Sequence, residues 1–283
     1  MAIDILQCYQ TQPPPLEFVL PGFAPATIGS IVSPGGSGKS ILALQLAHLI
    51  GGGVDLLGFG SFPTGRVIYL SAEDGKTIFH HRLHAIGTKL NNDQRDACAQ
   101  NIIIEDLTAH DPDLAHPQWV ESLENAAQDT RLLILDTLRA FHKWDENSAT
   151  AMAQVISTLK NIAARSRCTI LFLHHISKAL AQSQGDSQQA ARGSSVLTDN
   201  IRWQSYLVNM TKNEAENLTD NLNGLPIGAE NRSFYVRFGV SKQNYGIPFE
   251  EKWFHRGQGG ILEPVRLEPT EKRSSKNQRR NRI

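Results

Sequence analysis

Residues 34–41, PGGSGKSI, combine glycine, lysine and serine in a spacing that can bind phosphate. They follow a β-branched run and precede an apolar stretch of helical periodicity, which is the order of a P-loop. Glycine adopts backbone angles closed to other residues, so successive N–H groups can converge on a phosphate at the start of the helix. The residues predicted to bind a nucleotide here are Pro34, Gly35, Gly36, Ser37, Gly38, Lys39, Ser40 and Ile41.

Two side chains of this stretch carry the chemistry. A lysine at the position of Lys39 reaches the β- and γ-phosphates, and the hydroxyl of Ser40 is placed to bind Mg²⁺. The pattern G-x-x-x-x-G-K-[ST] asks for glycine where this chain has Ser33. The alternative is a flexible turn with a solvent-facing lysine, which the flanking strand and helix disfavour. The sequence therefore predicts ATP and Mg²⁺ as cofactors.

Acidic residues end two further apolar runs. Asp136 follows LLIL, where it can hold the hydration shell of Mg²⁺ beside Ser40. Glu73 ends the next strand after the P-loop helix and is predicted to orient and deprotonate the attacking water, if its strand neighbours the P-loop strand. Asp74 is the alternative base, and either acid could instead cap the following helix.

Two adjacent histidines, His174 and His175, end the apolar run CTILFLHH. Successive strand residues face opposite sides of a sheet, so only one of the two can contact the γ-phosphate as a sensor. A metal pair is disfavoured because adjacent histidines diverge and no third ligand is evident. His80, His81 and His84 lack cysteine or acidic partners at metal-binding spacing, so we interpret them as ordinary surface or half-buried residues.

The elements that must position these side chains alternate between strands and helices. Repeated alternation implies a parallel sheet with right-handed crossovers. A polar Gln/Ser-rich loop then leads to aromatic and β-branched runs, which suit antiparallel strands finishing the sheet. We expect an α/β fold with a mostly parallel central sheet flanked by helices and extended by antiparallel C-terminal strands. Strands are predicted at 27–33, 66–73, 102–104, 131–137 and 168–175, and helices after 38 and at 75–90, 117–128 and 148–166.

Composition limits the class of protein. A chain of 283 residues with 40% hydrophobic content can bury one large α/β core. Its formal net charge is zero, so nucleic-acid binding would need a local concentration of charge. Three widely spaced cysteines without C-x-x-C argue against a disulfide framework or a zinc site and fit a reducing cytosol. Because no basic leader and no apolar run of about 18 residues is present, we expect a cytoplasmic protein without a membrane span.

We expect three segments along the chain. Residues 1–21 form an arm, in which a short apolar, helix-like patch precedes the stiff sequence TQPPP; the alternative is a frayed terminus. Residues 22–265 form one ATPase domain. Residues 266–283 form a basic tail that ends in a charged run without apolar side chains until its last residue, which is typical of disorder.

Several motifs together carry a family resemblance. They are SPGGSGKS, VIYLSAEDG, HHRLHA, LLILDTLRAFH, LFLHHISK, RGSSVLTDNIRWQSYL and RFGVSKQNYG. Over nearly the whole chain they resemble the RepA-type replicative DNA helicases of broad-host-range plasmids, a group that shares serine at the position of Ser33. The resemblance implies a RecA-like core, a homohexameric ring with ATP sites between subunits, translocation on single-stranded DNA with duplex unwinding, and a replication initiator protein as a partner.

The resemblance also implies a role for each matched residue. Lys39 and Ser40 bind ATP and Mg²⁺, Glu73 is the catalytic carboxylate, Asp136 is the Walker B acid, and His175 is the γ-phosphate sensor.

Further residues are implied to act on the neighbouring subunit. Arg202, in DNIRWQ, corresponds to the arginine finger; from the residues alone, Arg192 is the other available cation, and Arg202 could be a surface residue near Trp203. VSKQNYG resembles the K-x-R-x-G segment of bacterial replicative helicases, in which both basic residues act in trans. Here Lys242 is kept and Asn244 replaces the arginine, so Lys242 alone remains a candidate trans ligand to ATP.

In a ring, two loops are expected to line a channel. They are residues 136–148 and 176–191, and Lys143, Lys178 and either Arg139 or Arg192 would concentrate positive charge on single-stranded DNA. Rival functions are a small-molecule kinase, a partitioning-type switch ATPase, and a RecA-like DNA-stimulated ATPase that does not unwind. A small-molecule kinase needs an arginine-rich lid, whereas this chain has a polar Gln/Ser-rich loop at that place. A partitioning-type switch ATPase usually has a lysine where this chain has Ser33.

Overall fold

The computed structural model describes residues 2–146, 148–176, 195–220, 224–246 and 248–270. Its helices are α1 (Ile5–Gln10), α2 (Lys39–Gly52), α3 (Lys76–Gly87), α4 (Asn92–Asn101), α5 (Pro117–Ala126), α6 (Ala149–Ser166), α7 (Ser195–Asn200) and α8 (Lys212–Asn217). Its strands are β1 (Ile28–Ser33), β2 (Val67–Ser71), β3 (Ile102–Asp106), β4 (Leu132–Asp136), β5 (Thr169–His175), β6 (Trp203–Asn209), β7 (Leu218–Thr219), β8 (Tyr235–Gln243), β9 (Lys252–Arg256), β10 (Leu262–Val265) and β11 (Glu268–Pro269).

A mixed nine-stranded sheet forms the centre of the molecule, in the order β10-β9-β8-β6-β1-β5-β4-β2-β3. The strands from β6 to β3 pair in parallel, and β8, β9 and β10 pair antiparallel at one edge. The predicted α/β class, with a parallel centre and antiparallel C-terminal strands, is therefore confirmed.

The sheet is buried on both faces because its strands alternate between two apolar layers. Tyr69, Ile134 and Leu171 pack in one layer, which also contains buried residues of α2, α3 and α4. The residues just before them in the strands pack in the other layer, with α5, α6 and α7. Strands buried on both faces explain the near-continuous apolar runs in the sequence.

Two elements differ from the sequence prediction. β6 pairs in parallel with β1 and only its other edge is antiparallel, to β8, so it closes the parallel part of the sheet. The polar helix α4 was not predicted, because Cys98 is its one buried residue and periodicity was too weak to indicate a helix. Its N-terminus carries a capping box between Asn91 and Gln94, which is a sequence-level helix signal.

Contacts of the described residues extend past both predicted boundaries of the ATPase domain. Val19 and Leu20 are buried in the core, so the core begins before residue 22, whereas the apolar residues of α1 are exposed. At the other end, β11 pairs with β7, so the chain stays ordered beyond residue 266. The charged run at 271–283 lies outside the described residues.

The cysteines and the helices add two further findings. Cys8, Cys98 and Cys168 are all free. Among the described residues, every helix is too short or too polar to cross a bilayer.

Candidate active site

The glycine-rich loop connects the end of β1 to the start of α2. Gly36 and Gly38 have φ angles of 77° and 94°, a region that favours glycine. The carbonyl oxygen of Pro34 accepts hydrogen bonds from the hydroxyls of Ser33, at 3.0 Å, and Ser37, at 2.7 Å. Ser33 is fully buried, so the side chain that replaces the expected glycine is accommodated by a bond inside the loop itself.

Helix α2 presents its first backbone N–H groups to this loop. The N–H of Leu42 is bonded to the carbonyl oxygen of Gly38 at 3.0 Å. The N–H groups of Lys39, Ser40 and Ile41 come before Leu42 in the first turn, where helix N–H groups in general have no acceptor within the helix. Together with the helix dipole, such groups favour an anion at this position.

Lys39 extends from the helix start into a buried position. Its Nζ lies 3.0 Å from Nδ1 of His175, which therefore acts as the acceptor of the ammonium proton. Burial lowers the pKa of Lys39 to about 8, and the charges of Asp136 and Glu73 oppose that shift. A buried cation between two acids is suited to receive a phosphate chain, whose charge would restore the ordinary pKa.

Glu73 faces the same site. Its Oε1 accepts a hydrogen bond from the Thr137 hydroxyl at 2.6 Å and lies 3.7 Å from Nε2 of His175. The pKa of Glu73 is lowered, mainly by His175 and then by Thr137, while burial opposes the shift. Asp74 instead pairs with Arg82 at 2.7 Å, away from these groups. Between the two acids, the geometry favours Glu73 as a base, because it is ionised, oriented and 44% exposed.

The strand that carries Glu73 does not neighbour the P-loop strand. β5 and β4 lie between β1 and β2. The role predicted for Glu73 assumed that its strand neighbours the P-loop strand, and that assumption was wrong. Glu73 still approaches the site because the chain after β2 is bonded to β4, with the N–H of Ala72 donating to the carbonyl oxygen of Asp136 at 2.9 Å.

Asp136 lies at the buried end of β4. Its Oδ2 accepts a hydrogen bond from the Tyr69 hydroxyl at 2.6 Å. Burial raises the pKa of Asp136, while the hydroxyls of Tyr69 and Ser40 favour the charged form. Within the described part of the chain, Oδ1 of Asp136 has no hydrogen-bond partner.

This orphaned carboxylate oxygen next to Ser40 fits the Mg²⁺ that a P-loop implies. Mg²⁺ prefers oxygen ligands and keeps several waters, so one hydroxyl, phosphate oxygens and a hydrated carboxylate suffice. No group of three or more His, Cys, Asp or Glu side chains in the described ranges could hold a metal unaided. Ser40 and Asp136 are therefore the residues that would hold the ion together with the nucleotide.

The two histidines of β5 separate as the alternation predicts. His175 is 45% exposed and faces Lys39. His174 faces the other way, with Nδ1 3.9 Å from Oε1 of Glu146, and buried His142 approaches the same oxygen at 4.0 Å. Burial and the neighbouring cations lower the pKa of His174 to about 4, so it is neutral at pH 7 and these contacts are not ion pairs. Of the two, His175 alone is placed to sense a nucleotide.

Comparison with known proteins shows the family and the fold of the chain. A family model described as an AAA domain matches residues 4–181, which contain the P-loop, both acids and both histidines. The chain belongs to the AAA domain family. The AAA chain is similar in fold to the crystal structure of the RadB recombinase, with a TM-score of 0.55 and 15% sequence identity, over 87% of this chain and 93% of the other. It is thus an ATPase with a RecA-like fold.

A second set of basic residues lies at the opposite end of the strands from the P-loop. Arg202 precedes β6, and its N–H is 3.5 Å from the carbonyl oxygen of Ile28 at the start of β1. Its side chain is exposed, and no ion pair links it to another described residue. Burial lowers the pKa of Lys160, and the nearby charges of Arg202 and Lys242 lower it further. The strands thus end at the P-loop on one side of the sheet, and a cluster of cations lies at their opposite ends.

Lys242 belongs to this second cluster but is engaged within its own subunit. It lies next to a register shift between β6 and β8. Its Nζ donates to the carbonyl oxygens of Thr198, at 2.6 Å, and Asp199, at 3.3 Å, near the end of α7. A role on a neighbouring nucleotide would require Lys242 to exchange these bonds.

The expected channel cations are only partly described. Lys143 forms an exposed ion pair with Asp111, and Arg139 donates to the carbonyl oxygen of His142 at 2.9 Å. An exposed pair is worth little, so the charge of Lys143 remains available to a polyanion. Residues 177–194, with Lys178 and Arg192, lie outside the described residues.

Sequence analysis missed two residues that contact this site. Tyr69 contributes an apolar ring to the core and its hydroxyl to Asp136, so it was counted only as a strand residue. Arg256, the last residue of β9, donates to the carbonyl oxygen of Ser37 inside the P-loop at 2.7 Å. The local sequence around Tyr69 and Arg256 contains no pattern that predicts these contacts.

Proposed function

We propose that the chain is a subunit of a homohexameric, ATP-dependent replicative DNA helicase, which translocates on single-stranded DNA and unwinds duplex DNA in plasmid-type replication. In this proposal ATP and Mg²⁺ bind at the P-loop, with Ser40 and Asp136 holding the metal. Glu73 deprotonates the attacking water, and His175 detects the γ-phosphate. A replication initiator protein is the expected partner at the origin.

The observation that carries the proposal is the position of Arg202. Arg202 is exposed, forms no ion pair with another described residue, and lies at the opposite end of the strands from the P-loop, too far away to serve its own nucleotide. Phosphoryl transfer gains most from a cation that stabilises the charge of the transition state, and such a cation is often supplied by a neighbour. A head-to-tail contact that brings Arg202 to the next P-loop would close into a ring if its rotation permits.

DNA as the substrate is supported by the surface next to the active site. Lys143 and Arg139 lie in the loop that follows β4, at the same edge as His175. In a ring, six copies of this loop would surround an axis with positive charge, although each subunit is neutral overall. The structural neighbour is a recombinase, which also supports nucleic acid as the partner.

We propose the following division of labour along the chain. Residues 22–265 act as the ATPase and helicase domain. The arm at 1–21 carries an exposed apolar helix that suits contact with another subunit. The tail at 266–283 contributes basic charge towards its end, which suits salt-sensitive DNA affinity.

Three measurements test the proposal in order. Native mass spectrometry should give a hexamer, and phosphate release from ATP should rise when single-stranded DNA is added. A fluorescent strand-displacement assay with a forked duplex should then show ATP-dependent unwinding. Stimulated hydrolysis without displacement would replace the helicase by a DNA-stimulated ATPase, the alternative that the recombinase neighbour favours. A monomer insensitive to DNA would refute both.

A further inference from the structure

Arg256 contacts the P-loop from a strand far away in sequence. Its Nη2 donates to the carbonyl oxygen of Ser37 at 2.7 Å and approaches that of Gly36 at 3.4 Å. The same nitrogen contacts Oδ1 of Asn209, at the end of β6, at 2.9 Å. The guanidinium is therefore held by a neighbouring strand while it grips two consecutive carbonyl groups of the loop.

These carbonyl contacts determine where the loop N–H groups point. A peptide unit is planar and nearly always trans, so its C=O and N–H bonds point in opposite directions. The carbonyl of Gly36 shares a peptide unit with the N–H of Ser37, and the carbonyl of Ser37 shares one with the N–H of Gly38. Drawing both oxygens towards Arg256 turns both N–H groups to the opposite side, where a phosphate would lie.

The third glycine of the motif also fits around this arginine. A Cβ atom at Gly38 would lie 2.9 Å from Nη1 of Arg256, closer than real Cβ contacts allow. The guanidinium thus packs directly against the backbone at the start of α2. The φ of 94° favours glycine at position 38, and a side chain there would also displace the guanidinium of Arg256.

The charge of Arg256 is not cancelled nearby. Burial lowers the pKa of Arg256, yet arginine stays protonated in proteins. Within the described ranges of the chain, no carboxylate forms an ion pair with it. Its hydrogen bonds to neutral oxygens leave a positive charge next to an anion-binding loop.

We propose that Arg256 is a positioning residue of the nucleotide site, which pins the carbonyls of Gly36 and Ser37 so that the loop N–H groups are directed at the phosphates. This inference rests on the proposed role of the P-loop in binding a nucleoside di- or triphosphate. Strand β9, in the antiparallel part of the sheet, would then contribute to nucleotide binding, in addition to any role in subunit assembly or DNA binding.

The test compares two substitutions of Arg256 with a control elsewhere. Arg256→Ala removes the contact, and Arg256→Lys keeps a charge on a side chain one atom shorter, without the Nη2 group that contacts both carbonyls and Asn209. Arg95→Ala is the matched control, because Arg95 also grips a backbone carbonyl, that of Gly87, with Nε at 3.0 Å and Nη2 at 2.7 Å, but on α4. Calorimetry with Mg-ADP measures the Kd of each full-length protein, and thermal unfolding without nucleotide measures its stability.

We expect the Kd to rise by about 10-fold or more in both Arg256 variants, as for loss of a hydrogen bond to a charged group. In Arg95→Ala it should stay within about twofold of the wild type. Hydrogen exchange of the Ser37 and Gly38 amides should quicken only in the Arg256 variants. If Arg256→Ala is unfolded, the lysine variant decides the matter.

The outcomes separate this inference from the proposed function. Failure of the wild type to bind Mg-ADP would overturn the P-loop assignment. Tight binding by the wild type, with Arg256 variants indistinguishable from Arg95→Ala, would overturn the role of Arg256 alone. Full binding by Arg256→Lys would also overturn it, since a charge without the Nη2 contacts to the two carbonyls would then suffice.

Discussion

Substitution of Arg202 tests whether the catalytic unit is one subunit or two. From Ile28, beside Arg202, to Ser33 at the P-loop, β1 takes five residue steps, or about 16 Å along the sheet. An arginine side chain does not span this distance. If Arg202 acts across an interface, Arg202→Ala should still bind ATP but lose hydrolysis by a factor of about 10³ to 10⁵.

A mixture of two inactive variants gives a sharper prediction. Lys39→Ala disables the P-loop side of an interface, and Arg202→Ala disables the opposite side. In a random equal mixture, half of the subunits offer an intact P-loop and half of their neighbours offer Arg202, so about a quarter of the interfaces regain both. Hydrolysis should therefore return to about a quarter of the wild-type rate.

The assay is steady-state phosphate release after subunit exchange, first without DNA. Exchange is established by mixing each variant with labelled wild-type subunits, and native mass confirms that both variants keep the wild-type assembly. A mixture that exchanges but stays inactive would refute action of Arg202 across independent interfaces. A monomeric Arg202→Ala protein would make Arg202 an assembly residue instead.

Three further predictions concern Glu73, Lys39 and His174. Glu73→Gln should bind ATP but hydrolyse it about 10² to 10⁴ times more slowly, whereas Asp74→Asn should stay active in the same phosphate-release assay; the reverse pattern would show that the wrong acid was assigned. Because the pKa of Lys39 is about 8 and phosphate favours its charged form, the calorimetric affinity for Mg-ADP should weaken above pH 8, and an affinity that stays constant up to pH 10 would contradict this. The pKa of His174 falls from 6.5 to about 4 on folding, so the unfolded chain binds more protons between these values and the free energy of unfolding should drop by about 2 kcal/mol from pH 7 to pH 5. Urea titrations should show a flatter pH dependence in His174→Gln but not in His80→Gln, which changes an exposed histidine; equal slopes in all three proteins would refute the assignment.

The residues at the ends of the apolar strands were predictable because parallel strands end at one edge of a sheet. Asp136 and His175 each follow such a strand, so local sequence alone places them near the P-loop. The order of the strands is not a local property, and the assumed adjacency of the strand bearing Glu73 was wrong. Its approach depends on Thr137, two strands away from β1.

Other contacts escaped prediction for a different physical reason. Arg256 is 219 residues away from Ser37, and a lone arginine in a strand is more often a surface residue than a ligand. Tyr69 is fully buried, and nothing in an apolar strand indicates which acid its hydroxyl will meet. Hydrogen bonds of this kind are fixed by the pairing of distant strands, which pattern analysis does not supply.

Strand β8 runs the full height of the sheet, about 27 Å over nine residues. Lys242 lies near one end, beside Arg202, and the other end pairs with β9, which carries Arg256 to the P-loop. In the proposed ring, this strand is a rigid element that connects the nucleotide site of its own subunit with that of the next. Every subunit of the ring has this strand in the same orientation. A displacement of the strand at one nucleotide site would therefore pass around the ring in a single rotational sense, set by the direction of the chain.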